Sequence, residues 1–264
     1  MDENGISAHA APTGASTGML AVRPTLSRSE KFAFARQAVL AQLRELPRTI
    51  SARLGWHAGD SALALAADPP DSSYTRRAHA LAEEMYGPEL LHHCLRCWYF
   101  GDLFAQIERQ AYDPELLYVA SLMHDVALTD AHRPTAGDPP CFAVHGGNLA
   151  RSKLRAWGAG DPFAQSVATA IALHLNVSVP VGQGVEAHLL HAAAHLDVAG
   201  TGVWKIPRTL IRQVNMRHPR KGFTGAFTQA MRREAHEHPD SRTAVLWKLG
   251  LRVLIALNAV NAVD

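Results

Sequence analysis

Cysteine is scarce. The 264-residue chain has three, Cys94, Cys97 and Cys141, and so small and odd a set offers no disulfide framework. Reduced thiols and a cytoplasmic location are the simpler expectation. Cys94 and Cys97 form a C-x-x-C, but they fall inside a helical apolar pattern with no second Cys pair, which argues against a zinc or redox role. A long uncharged apolar run is also missing. The most apolar stretch, 244–263, is broken by Lys248 and Arg252, and its uncharged part, Val253–Val263, is 11 residues long where a bilayer span needs about 20. Leu246, Leu249, Val253, Leu257 and Val260 recur at helical spacing, so a buried core helix is expected there and no membrane role. Nor is there a strong charge of one sign. Lys and Arg total 26 against 24 Asp and Glu, a formal charge of +2. A basic stretch holds Lys205, Arg208, Arg212, Arg217, Arg220 and Lys221, but few aromatics are interleaved with it, which argues against a nucleic-acid partner. No segment shows β alternation.

What is present is helical. Residues 1–28, rich in Ala, Ser, Thr, Gly and Pro, read as a flexible tail that begins acidic and lacks a secretory apolar core. Residues 29–70 read as an N-terminal helical extension. Its helix is expected from Ser29, as N-cap, to Leu46, with Phe32, Phe34, Ala35, Val39, Leu40 and Leu43 as its apolar stripe. The main body, 71–264, repeats one theme of cap, apolar stripe and breaker. Gly87-Pro88 opens a helix with Leu91, Cys94, Leu95 and Trp98, and Asp113-Pro114 pairs an N-cap with proline at the first helical position. Asp161-Pro162 repeats that signal, Gly158 closes the helix before it, and a further helix is expected over Val185–Ala199. The fold class is all-α.

Three of these helices aim a ligand-type residue at the core. His124-Asp125 ends the helix opened by Asp113-Pro114. Adjacent helical residues point about 100° apart, so one metal engages both only at a helix end or an irregular turn. His93 and Asp197 lie among apolar neighbours on two other helices. Buried imidazole and carboxylate are costly unless paired or metal-bound, and a shared ligand explains them more simply than three separate accidents. Imidazole with carboxylate suits zinc first, with iron or manganese as alternatives.

His93, His124-Asp125 and Asp197, in that order, resemble the H…HD…D signature of the HD superfamily of metal-dependent enzymes. The phrases HCLRCWYFG, DPELLYVASLMHDVALTD, FAVHGGNLA, AIALHLN and HLDVAG are similar to those of its cyanamide hydratase-like branch, over roughly Ser72 to Trp247. The resemblance implies a helical bundle holding one divalent metal at His93, His124, Asp125 and Asp197, with activated water adding to a small molecule. Phe142 stands where dinuclear members carry a further His, which favours one metal. Ala143 stands where the branch usually has Glu, which leaves the substrate open.

Beside the metal set, Asp125, His174, Thr129, Asp130 and His145 are the catalytic candidates. Arg96, Trp98 and Phe142 are the substrate-binding ones. The bland readings are that Thr129 and Asp130 only satisfy a helix end, and that His174 and His145 are core histidines. His188, His191 and His195 share a helical face with no carboxylate on it and read as a solvated stripe. The expected partner is a small-molecule substrate, with a homo-oligomer left open. Two other functions compete. One is phosphohydrolysis, with Arg96 or Arg220 holding a phosphate; the other is an inactive, metal-stabilised binding module.

Overall fold

The local start signals act where the sequence carries them. In the computed structural model, which describes residues 22–53, 63–66 and 68–263, Asp113 accepts from the backbone of Glu115 and Leu116 and opens the helix Pro114–Met123. In chain order the helices are α1 (Arg28–Arg53), α2 (Ser73–Met85), α3 (Pro88–Glu108), α4 (Pro114–Met123), α5 (Phe142–Ala156), α6 (Asp161–Leu173), α7 (Val185–Ala199), α8 (Arg208–Arg217), α9 (Phe223–Glu237), α10 (Arg242–Lys248) and α11 (Leu251–Ala256). Among the described residues no strand forms.

Helix α4 is the centre. Every residue from Leu116 to Met123 is buried, as expected of a helix apolar all round. α2, α3, α6 and α7 pack around it, and α5 pairs with α6. That pair approaches closely at Gly147, where a Cβ would stand 2.6 Å from the Ala168 carbonyl oxygen. The remaining helices, α8 to α11, cover the α3–α7 side, and α1 lies on α10.

Four local expectations need correction. The cap of α1 is Ser27, not Ser29: Ser27 Oγ accepts from Glu30 N and Ser27 N donates to Glu30 Oε2, a reciprocal box. The helix also runs past Leu46 through Pro47, because Glu45 accepts from Trp204 Nε1 and Arg48 lies 5.0 Å over the Trp204 ring on either side of the proline. Of the expected tail, residues 1–21 lie outside the described residues, while Leu26 N donates to Asp240 O and Arg242 donates to Arg23 O, so the segment before α1 is pinned. The cap of α6 is Gly160 with no side-chain bond; Asp161 is the first helical residue and pairs with Arg151 and Arg155.

The C-terminal segment is not one buried helix. Gly250, at φ +93°, ends α10 and turns the chain, and α11 leaves at 74° to α10. Leu249, Val253 and Leu257 are then 41%, 51% and 58% exposed, whereas Val260 is buried. Of the expected stripe of α1, Phe32, Val39, Leu40 and Leu43 face outward, Phe34 and Ala35 are half-buried, and Ala38 packs inward. Among the described residues, no single helix is long and apolar enough to cross a membrane.

Candidate metal centre

Three imidazoles and one carboxylate converge where α3, α4 and α6 meet. His124 caps the C-terminus of α4, and Asp125 follows in a tight turn at φ −106°, ψ 9°. The helix end therefore brings both neighbours to one point, as the adjacent pair requires. His93 comes from the middle of α3 and His174 from the C-terminus of α6.

Each ring is fixed through its Nδ1. His93 Nδ1 donates to Asp197 Oδ2 at 2.7 Å, His124 Nδ1 to Ser121 O at 2.7 Å and His174 Nδ1 to Ile171 O at 2.6 Å. A ring that donates from Nδ1 presents a lone pair at Nε2 when neutral. His93 Nε2 and His124 Nε2 face each other at 3.2 Å. Asp125 Oδ2 lies 3.4 Å from both, is buried and has no hydrogen-bond partner. His174 Nε2 is 3.9 Å from Asp125 Oδ1. Two facing lone pairs and an orphaned carboxylate oxygen repel unless a cation lies among them. The donor set of two imidazoles and a carboxylate fits zinc or a similar divalent ion.

The electrostatics agree. Burial lowers His93, takes His124 down to about 4 and puts His174 well below the usual imidazole range, so all three are neutral at pH 7. Burial raises Asp125 to about 6, the mark of a carboxylate without an adequate counter-charge. Cys94 and Cys97 border the cluster, with Cys97 Sγ 3.8 Å from both nitrogens of His93. Burial holds both thiols well above their usual range, and Cys97 with His93 and His124, like Cys94 with His124 and Asp125, forms a group able to hold a metal.

Asp197 has a different place from the one expected. Its carboxylate stands behind His93, held by Arg96 Nε at 2.9 Å, Arg96 Nη2 at 2.8 Å and the Arg220 guanidinium, and it bonds the far side of the ring. Burial alone would raise this carboxyl, but Arg220, Arg96 and the His93 bond keep it well below its usual range. An ionised carboxylate there orients the ring and strengthens Nε2 as a donor atom. Asn258 completes the support, its Nδ2 donating to the carbonyls of Leu196 and Asp197.

The other expected residues divide. Phe142 lines the cavity above the cluster and meets the His174 ring edge-on at 5.5 Å. Arg96 is not a substrate group: it is wholly buried, and its remaining donors go to the carbonyls of His218 and Pro219. Trp98 turns away from the site, edge-on to Tyr99 and Tyr118. Thr129 donates to Val126 O at the end of its helical turn, and Asp130 pairs at the surface with Arg233 of α9. His145 faces Asp138 at 3.7 Å, away from the cavity. The stripe of His188, His191 and His195 is half-buried, not solvated, because Glu108 on α3 supplies the carboxylate it lacks and bonds His188 Nε2 at 2.7 Å. His195 lines the cavity and packs on His191 at 4.0 Å. Gln42, Phe227, Met231 and Leu251 also line it. Nothing in their local sequence marks them, since they come from α1, α9 and α11, far from the motif.

Among known proteins the chain is similar to two cyanamide hydratases of Saccharomyces cerevisiae, DDI2 and DDI3. Each is 27% identical over 184 residues, covering 67% of this chain and 80% of the relative. No family model matches the chain. The similarity is thus to enzymes of hydratase type, and it is compatible with the buried His, Cys and Asp groups able to hold a metal.

Proposed function

We propose that the chain is a metal-dependent hydratase of the HD superfamily, holding one divalent ion, zinc first, at His93, His124 and Asp125 and adding water across a carbon–nitrogen triple bond. The observation that carries the reading is the convergence of His93 Nε2, His124 Nε2 and the unpartnered Asp125 Oδ2. When bound, such an ion supplies polarisation of the nitrile and activation of water at neutral pH.

The chain's own residues do the rest. Asp197 keeps the proton of His93 on Nδ1, which leaves Nε2 free to ligate. His174, neutral and with Nδ1 committed to Ile171 O, takes a proton from the adding water at Nε2 and returns it to the substrate nitrogen. Phe142 packs against that ring, limits its rotation and keeps bulk water off it. The phosphohydrolase alternative loses its support. Arg96 and Arg220 are both committed to Asp197, and among the described residues no Lys or Arg lines the cavity. Three buried free cysteines fit a reducing compartment such as the cytoplasm.

The test is elemental analysis combined with turnover. Purified protein is expected to hold about one equivalent of Zn, Fe or Mn, to lose most of it in Asp125→Ala, and to release urea from cyanamide, with His93→Ala as the blank. Full metal content in Asp125→Ala would overturn the ligand set. Metal-dependent phosphate release from nucleotides without urea release would overturn the reaction.

A further inference from the structure

The polar lining of the cavity is His93, His124, Asp125, His174 and His195, with Gln42 on the side shared with the surface groove. The rest of its wall is apolar and includes Leu175, Val198, Phe227, Met231, Leu251 and Leu254. Its volume is about 70 Å³, several times the roughly 10–15 Å³ that one water needs. A molecule of three heavy atoms such as cyanamide is too short to reach from the ligand cluster along the leucine and phenylalanine wall.

The apolar wall continues outward. Gln42, Leu246, Leu251 and Leu254 are shared between the cavity and an outer groove of about 260 Å³ between α1 and the α10–α11 pair. Val39, Leu43 and Leu249 extend that groove, and all three are exposed. The outward-facing stripe of α1 and the bend at Gly250 thus form one feature, an apolar track running from solvent to the ligand cluster. Contiguous exposed apolar surface of this kind marks a binding site more often than chance.

We infer that the substrate is a nitrile-type molecule carrying an apolar substituent, such as an N-alkyl cyanamide, with its C≡N at the ligand cluster and its substituent along Leu251, Leu254 and Leu246. The inference rests on the hydratase reading and names its substrate class. In the reaction the water oxygen bonds to the nitrile carbon and both water protons end on the nitrogen. The C≡N group becomes C=O beside NH₂; nothing is oxidised, reduced or expelled. The substituent takes no part in bonding and contributes by burying apolar surface against Leu246, Leu251 and Leu254. Each buried methylene raises kcat/KM by about fourfold.

The test compares cyanamide with its ethyl, propyl and butyl derivatives on the metal-loaded wild-type protein. Calorimetry of urea and propylurea, the corresponding products, gives a readout independent of turnover. The expected result is a rise of about fourfold per methylene through propyl, with propylurea binding at least about tenfold tighter than urea. Leu254→Trp, at a half-buried position that tolerates bulk, is expected to lower the butyl-to-cyanamide ratio of kcat/KM by about tenfold or more. Turnover of cyanamide with no gain from any substituent, and equal binding of the two ureas, would overturn the inference and leave the hydratase reading standing. Turnover of none of the four compounds would overturn both.

Discussion

His93 and Asp197, 104 residues apart in the chain, are joined by a 2.7 Å hydrogen bond from Nδ1 to Oδ2, and the same carboxylate pairs with two guanidinium groups, the buried Arg96 and the half-buried Arg220. One side chain therefore sets the tautomer of the cluster's central ring and holds both guanidinium groups behind it. Asp197→Asn keeps the size but leaves Arg96 and Arg220 uncompensated. It is expected to destabilise the fold by about 3–5 kcal/mol and to weaken metal binding by roughly 10- to 100-fold. Denaturant melts and competition against a chelator measure the two effects separately. Unchanged metal affinity in a folded Asn variant would remove Asp197 from the support of the centre.

Asn258 tests that support from the other side. Its amide satisfies the carbonyls of Leu196 and Asp197 while its oxygen accepts from Val260 N, tying the end of α7 to the C-terminal turn. Asn258→Ala removes both amide bonds and leaves the Val260 N–H without its acceptor, while Leu196 O keeps Gly200 N and Asp197 O keeps Arg220 Nη2, at a cost of about 1–3 kcal/mol. Thermal unfolding should show the loss. Asn258→Asp should be worse, because it turns a buried carboxylate oxygen towards both carbonyl oxygens, a repulsion that alanine does not introduce.

Signals carried within a few residues were legible in the sequence. Proline after an N-cap at Pro114 and the limits of Val185–Ala199 depend on local backbone chemistry, and the structure matches them. The pairing of His124 with Asp125 was legible for the same reason, since only a helix end lets neighbours converge. What depends on distant packing was not. Arg96 sits one turn from His93, yet its partner is Asp197, 101 residues away. Trp98 is an aromatic beside the motif, but Tyr118 on α4 claims it. The apolar spacing of 246–260 reads as one helix until Gly250 adopts positive φ, and that turn exposes residues that periodicity would bury.

The close approach of α5 and α6 gives a purely steric prediction. A methyl at position 147 would meet the Ala168 carbonyl oxygen at 2.6 Å, and backbone oxygen cannot rotate away. Gly147→Ala is expected to destabilise by about 1–3 kcal/mol through forced separation of the pair, although alanine is the better helix former. His174, at the C-terminus of α6, would shift with it. Activity is therefore expected to fall further than the loss of folded protein explains. A calorimetric melt and kcat on the folded fraction separate the two.

The Glu108 cluster gives a prediction in pH. Partial burial alone would raise this carboxyl, but the Lys205 and His188 bonds lower it below its ordinary value. A carboxylate depressed in the folded state contributes stability that is fully present above its unfolded pKa, about 4.3. That contribution disappears as pH falls through the lower folded value. The wild type should therefore be more stable than Glu108→Gln at pH 6 by a margin near the range of exposed pairs, about 0.2–1 kcal/mol, because the group keeps much contact with solvent. The margin should close as pH drops below about 4. Urea melts of both proteins from pH 3 to pH 7 measure it. A constant difference across that range would mean that packing, and not the carboxylate charge, carries the contribution of Glu108.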